Sequence, residues 1–143
     1  MAETTGCVAR HINHVAIAVR DIEDSLGFYR STFGVGTNEI VDIPDQGVRA
    51  ALVRIGGSQL ELIQPTDDRG GVARFIDRRG EGLHHVCFEM EDLTVRLGQL
   101  RDAGVELVDE TPREGLSGDI AFIHPRSTGG VLIELVNAAT AKR

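Results

Sequence analysis

The chain repeats itself, and no other feature constrains its fold as much. Residues 14 to 35 read HVAIAVRDIEDSLGFYRSTFGV, and residues 85 to 105 read HVCFEMEDLTVRLGQLRDAGV. At an offset of 71 positions His14 meets His85, Val15 meets Val86, Asp21 meets Asp92, Leu26 meets Leu97, Gly27 meets Gly98 and Arg30 meets Arg101. One residue then drops out, and Gly34-Val35 meets Gly104-Val105. Self-similarity of this kind means that one supersecondary unit is used twice.

Both copies follow the same physical grammar. An alternating strand comes first, with Val15, Ile17 and Val19 on one face in the first copy and Val86, Phe88 and Met90 in the second. Asp21 and Asp92 then stand where a short carboxylate accepts from the free N–H groups of a helix start. Ile22, Leu26 and Tyr29 make one apolar helical stripe; Leu93, Leu97 and Leu100 make the other. Each helix ends near a glycine, Gly34 or Gly104, as a left-handed cap requires. Strands are expected around 36–41, 48–55 and 59–63 after the first helix, and around 106–108, 120–124 and 131–136 after the second. Each half is therefore βαβββ. The fold class is α+β: two βαβββ modules related by a pseudo-twofold, forming a curved mixed sheet around a metal site. The 143 residues make a single domain, with module 1 over about 10–64, a linker over about 65–82 and module 2 over about 83–138. Residues 72–77 of the linker can form a short helix.

Strand faces single out four residues. On the first strands the face opposite the large apolar residues carries His14, Ala16 and Ala18, and His85, Cys87 and Glu89. Small or polar side chains there suggest a face that lines a cavity. In QLELIQ, Leu60 and Leu62 point to the helix and Gln59, Glu61 and Ile63 away from it. In GVLIELVN, Val131, Ile133 and Leu135 point inward and Leu132, Glu134 and Val136 away. A carboxylate inside so apolar a strand costs several kcal/mol if unpaired, and a metal ion is a partner that suits it. His14 and Glu61 are 47 residues apart, His85 and Glu134 49. Packing about a pseudo-twofold brings two imidazoles and two carboxylates toward one centre. That set suits a divalent ion such as Co, Ni, Mn, Mg or Zn, six-coordinate with two open positions, since a closed zinc site more often uses thiolates.

The other histidines have plainer readings. His11 lies outside the repeat, and His84 faces away from His85 and packs toward a helix. His124, in FIHPRS, is ambiguous. Cys7 and Cys87 form neither a disulfide framework nor a zinc pattern. A net charge of −7 argues against nucleic acid or an anionic membrane surface as partner. No apolar run reaches membrane-spanning length, the first residues lack a signal-peptide core, and a cytoplasmic setting is expected.

The pieces INHVAIAVRDIEDSLGFYRSTFGV, IPDQGVR, LELIQP, GEGLHHVCFEMEDL, LRDAGVELVDETPREG and FIHPRSTGGVLIELV cover nearly the whole chain in order. Together they resemble the vicinal oxygen chelate superfamily, and GLHHV followed by HPRSTGGVLIEL resembles its branch of methylmalonyl-CoA epimerases. The resemblance implies a metal held by His14, Glu61, His85 and Glu134. It implies interconversion of the 2R and 2S thioesters by C2 proton transfer through a metal-stabilised enediolate, an acyl-CoA substrate and a homodimer. Glu134 is the implied base. Some epimerases carry a glutamate at the position of Ala50, which cannot move a proton here; either Glu61, the weaker candidate, or a bound water takes the second role, or the chain does something slightly different. Arg126 and Arg49 are the candidates for the CoA phosphates. The loop 112–119 could cover the ligand or be a plain surface hairpin. Competing readings are another isomerase or lyase of the superfamily such as glyoxalase I, and a metal-free small-molecule-binding protein. An Fe(II) dioxygenase would want one carboxylate rather than two.

Overall fold

The computed structural model describes residues 8–36 and 39–143. Two compact units emerge: His14–His84, and Met1–Asn13 with His85–Arg143. Strand β1 (Ala9–Ala18) thus contributes residues to both.

In the first unit β1 leads into α1 (Ile22–Phe33), then β2 (Val41–Ile43), β3 (Val48–Ile55), β4 (Ser58–Pro65) and α2 (Gly71–Arg79). The strand order is β2-β3-β4-β1. The β2–β3 and β3–β4 pairs are antiparallel, and β4 runs parallel to β1. Helix α1 starts as its sequence dictates. The Asp21 carboxylate accepts from the Asp24 N–H at 3.0 Å, and Gly34 closes the helix at φ 66°. Its stripe packs Ile22 and Leu26 with Val19, Ala51, Val53 and Leu62, and Ile17, Tyr29 and Leu60 lie against this cluster. The linker helix is longer than the 72–77 expected.

The second unit repeats the order with β5 (Gly82–Met90), α3 (Leu93–Asp102), β6 (Arg113–Gly115), β7 (Gly118–Ile123) and β8 (Ile133–Asn137). Its strands lie β5-β8-β7-β6, with β8 parallel to β5 and the other two pairs antiparallel. Leu93 and Leu97 pack with Met90, Ala121, Ile123 and Leu135, matching the first unit position for position.

Three expectations need correction. Asp92 does not cap α3 with its side chain: it takes φ 50°, in the left-handed region rather than the extended conformation of Asp21. The strand expected at 106–108 is only a bridge from Leu107 to Ile123; the edge strand is β6, five residues further on, where the chain turns directly into β7. The strand expected at 36–41 runs Val41–Ile43, and residues 37 and 38, like Cys7, lie outside the described residues.

Leu97 is fully buried in its cluster, so truncation there opens a cavity that its neighbours fill only in part. Leu97→Ala should cost about 2–5 kcal/mol, read as a lower urea midpoint with the slope unchanged.

Candidate active site

The same register positions the candidate residues in each unit. In the parallel β1–β4 ladder Glu61 pairs with Ala16, two residues beyond His14. In the parallel β5–β8 ladder Glu134 pairs with Cys87, two residues beyond His85. Side chains two apart on a strand share a face, so each His and its Glu lie on one side of their sheet. His14 Nε2 is 3.8 Å from Glu61 Oε2, and His85 Nε2 is 3.7 Å from Glu134 Oε2. All four residues are buried.

These separations are too long for hydrogen bonds. They do fit a shared cation: two donors each about 2.1 Å from one ion lie no more than about 4.2 Å apart. Imidazole nitrogen and carboxylate oxygen are the donors that divalent first-row ions take. The small side chains of Ala16 and Cys87, fully buried beside the two glutamates, keep the carboxylates from being crowded out.

The two units differ around this common frame. In the first, Ala50 pairs with Ile63 and Leu52 with Glu61, so the methyl of Ala50 shares a face with Glu61. Glu61 is the one carboxylate that β1 to β4 turn to that face among the described residues. In the second, Phe122 pairs with Glu134 across β7–β8 and meets the His85 ring edge-on at 5.2 Å between centroids. The Arg113 guanidinium lies over the Phe122 ring, 5.7 Å from its centroid. Arg113 Nε in turn donates to Asp109 Oδ1 at 3.0 Å.

One residue near Glu134 escaped the sequence reading. Ser117 is buried, and its hydroxyl donates to Glu134 Oε1 at 3.5 Å, the oxygen turned away from His85. It sits in the turn of a β6–β7 hairpin, so the loop 112–119 is that hairpin. A serine between Leu116 and Gly118 looks like any polar turn residue, and the β7–β8 register, which sets Phe122 opposite Glu134, does not by itself reveal the contact.

The remaining histidines behave as structural residues. His84 packs edge-on against Phe75 of α2, with centroids 5.0 Å apart. His124 Nδ1 accepts the Arg126 N–H at 3.1 Å and caps a short turn. His11 Nε2 lies 2.8 Å from Glu89 Oε2. Both arginine candidates are engaged at the surface. Arg126 pairs with Glu106 at 3.1 Å, and Arg49 with Glu23 at 2.7 Å.

A family model described as the Glyoxalase/Bleomycin resistance protein/Dioxygenase superfamily matches residues 13–122. The chain belongs to this superfamily. Among relatives, the mitochondrial methylmalonyl-CoA epimerase of Bos taurus is 34% identical over 129 residues, 89% of this chain and 74% of that protein. The ethylmalonyl-CoA/methylmalonyl-CoA epimerase of Cereibacter sphaeroides is 34% identical over 127 residues, 87% of this chain and 95% of that one. A Streptomyces coelicolor methylmalonyl-CoA epimerase variant in complex with 2-nitronate-propionyl-CoA superposes with a TM-score of 0.87 at 33% identity, covering 95% of this chain and 100% of that chain. No described helix of this superfamily member is long and apolar enough to cross a membrane.

Glu89 is a buried carboxylate that the His–Glu pairs leave unused. Burial pushes its carboxyl up, but the Arg143 guanidinium, the nearby His11 and the Asn13 side chain outweigh burial and hold it below the usual carboxylate range. A lowered folded-state value stabilises the protein above the unfolded value of about 4.3, and that contribution disappears as pH falls through the folded value. Glu89→Gln should therefore flatten the acid limb of the stability curve below about pH 4.3. Urea midpoints across pH 3 to 7 check this, and an unchanged acid limb would refute it.

Proposed function

We propose that this protein is a methylmalonyl-CoA epimerase, and that the His14–Glu61 and His85–Glu134 pairs hold one divalent ion between them. The observation that carries the reading is the identical placement of an imidazole and a carboxylate in each unit, buried at a separation one cation can span. Similarity over nearly the whole chain to epimerases, one of them solved with an acyl-CoA analogue, supports the substrate class.

A bound divalent ion would supply Lewis acidity to a thioester oxygen and a carboxylate, which lowers the cost of removing the proton between them. The remaining work falls to the chain. Epimerisation takes the C2 proton from one face and returns one on the other, so it is served most simply by two opposed bases. Glu134 is the first, with Oε2 toward His85 and Oε1, which accepts from Ser117, as the oxygen that takes the proton. Glu61 is the second, because Ala50 offers only a methyl on that face. Arg126 and Arg49 are the proposed contacts for the CoA phosphates. Each would exchange an exposed carboxylate partner for a phosphate, a change of small cost at the surface. A homodimer completes the reading on family resemblance.

Deuterium exchange at C2 of methylmalonyl-CoA tests it. The wild-type protein should incorporate solvent deuterium, lose this activity on chelation and regain it with added Co(II). Glu134→Gln should slow exchange at least about a hundredfold while the fold is retained. Wild-type exchange rates in that variant would sink the assignment. Stoichiometric metal in the purified protein separates this reading from a metal-free binding protein.

A further inference from the structure

Ser117 is buried, so its backbone carbonyl needs a partner within the protein. The partner is the Lys142 N–H, which donates at 2.8 Å. The carbonyl of Lys142 is held in turn by Asn13 Nδ2 at 3.0 Å. Two residues further along the hairpin, the Asp119 N–H donates to Thr140 Oγ1 at 2.9 Å. Between these two contacts lies Gly118 at φ 135°, where an added Cβ would come within 2.7 Å of the Thr140 carbonyl oxygen. Residues 140–142 thus lie directly on the turn that carries Ser117, with no room for a side chain between.

The segment is also fastened beyond the turn. The Arg143 guanidinium donates to Glu89, a fully buried carboxylate on β5. Ala141 packs against the cluster of Cys87, Ile120, Phe122 and Val136, which surrounds Glu134 on its sheet face. The chain of contacts from Glu89 through Arg143, Lys142 and Ser117 ends at Glu134 Oε1.

We propose that residues Thr140–Arg143 form a strap that fixes Ser117, and through its hydroxyl the orientation of the Glu134 carboxylate. The proposal rests on the reading of Glu134 as the group that moves the C2 proton. Arg143 and Ser117 are positioning residues: neither touches the reacting atoms, and both act by keeping Oε1 aimed. A carboxylate free to rotate still binds, but spends less time where the proton is, so kcat falls while KM does not.

The test compares Ser117→Ala, Arg143→Ala, Gly118→Ala and the double variant Ser117→Ala/Arg143→Ala. Each single variant should lower kcat for C2 exchange by on the order of tenfold with KM within about twofold. Arg143→Lys should restore most of the loss. The double variant should be no slower than Ser117→Ala, because both changes break one chain of contacts. A second readout needs no activity: the carboxyl carbon-13 resonance of Glu134, assigned by its loss in Glu134→Gln, at fixed pH without metal. It should move in the same direction in Ser117→Ala and Arg143→Ala. A resonance that moves in Ser117→Ala and stays put in both Arg143→Ala and Gly118→Ala overturns the strap, as do additive losses in the double variant. Absence of C2 exchange in the wild-type protein would instead fail the functional reading, and the resonance would still decide the strap.

Discussion

A carboxylate inside an apolar strand governs this architecture. Ionised and unpaired, Glu61 or Glu134 would cost several kcal/mol, more than any single packing contact returns. The chain sets a histidine near each glutamate in the same way twice. A parallel ladder sets each glutamate opposite the residue two beyond a histidine, so imidazole and carboxylate share a face. Other choices follow from this one. The residue opposite each glutamate must be small, and is Ala16 or Cys87. The opposite strand face must carry the packing load, and does so through Leu62 and Leu135 against the two long helices.

The units share the frame and differ in what surrounds it. Next to Glu61 the neighbouring strand offers Ala50 and Leu52, which neither donate nor accept. Next to Glu134 stand the ring of Phe122 and the hydroxyl of Ser117. Two carboxylates in equivalent backbone positions thus have unlike neighbours.

Much of this was legible in the sequence because it rests on periodicity. Alternation assigned the faces of β1, β4, β5 and β8. The repeat carried each assignment from one half to the other, so Glu61 and Glu134 each predicted the other. What was not legible depends on backbone detail that alternation does not encode. Asp92 matches Asp21 in sequence but takes a left-handed conformation, so one aspartate caps its helix and the other does not. The edge strand of the second unit falls at Arg113–Gly115 because the turn before β7 is tight, a feature that the apolar residues at 105–108 mask. Ser117 was hidden for the same reason, since its role depends on hairpin register and on contacts with residues 140–142.

Those contacts follow a rule that the repeat also contains. In the first unit the Thr66 N–H, just past β4, donates to the carbonyl of Gly47, the residue before β3, at 2.9 Å. In the second the Lys142 N–H, past β8, donates to the carbonyl of Ser117, the residue before β7, at 2.8 Å. The packing is tighter in the second unit: a Cβ on Gly47 would make ordinary contact with the Asp67 carboxylate at 3.4 Å, whereas one on Gly118 would clash with the Thr140 carbonyl oxygen at 2.7 Å. In both units, then, the chain leaving the last strand folds back over the turn that opens the third. The device secures a hairpin in each case, whatever chemistry the unit serves. The difference lies in one side chain. Where the first unit has a glycine, with nothing to reach Glu61, the second has a serine whose hydroxyl reaches Glu134. A general fastening of the module thereby acquires a line of contact to one of the two carboxylates and not to the other.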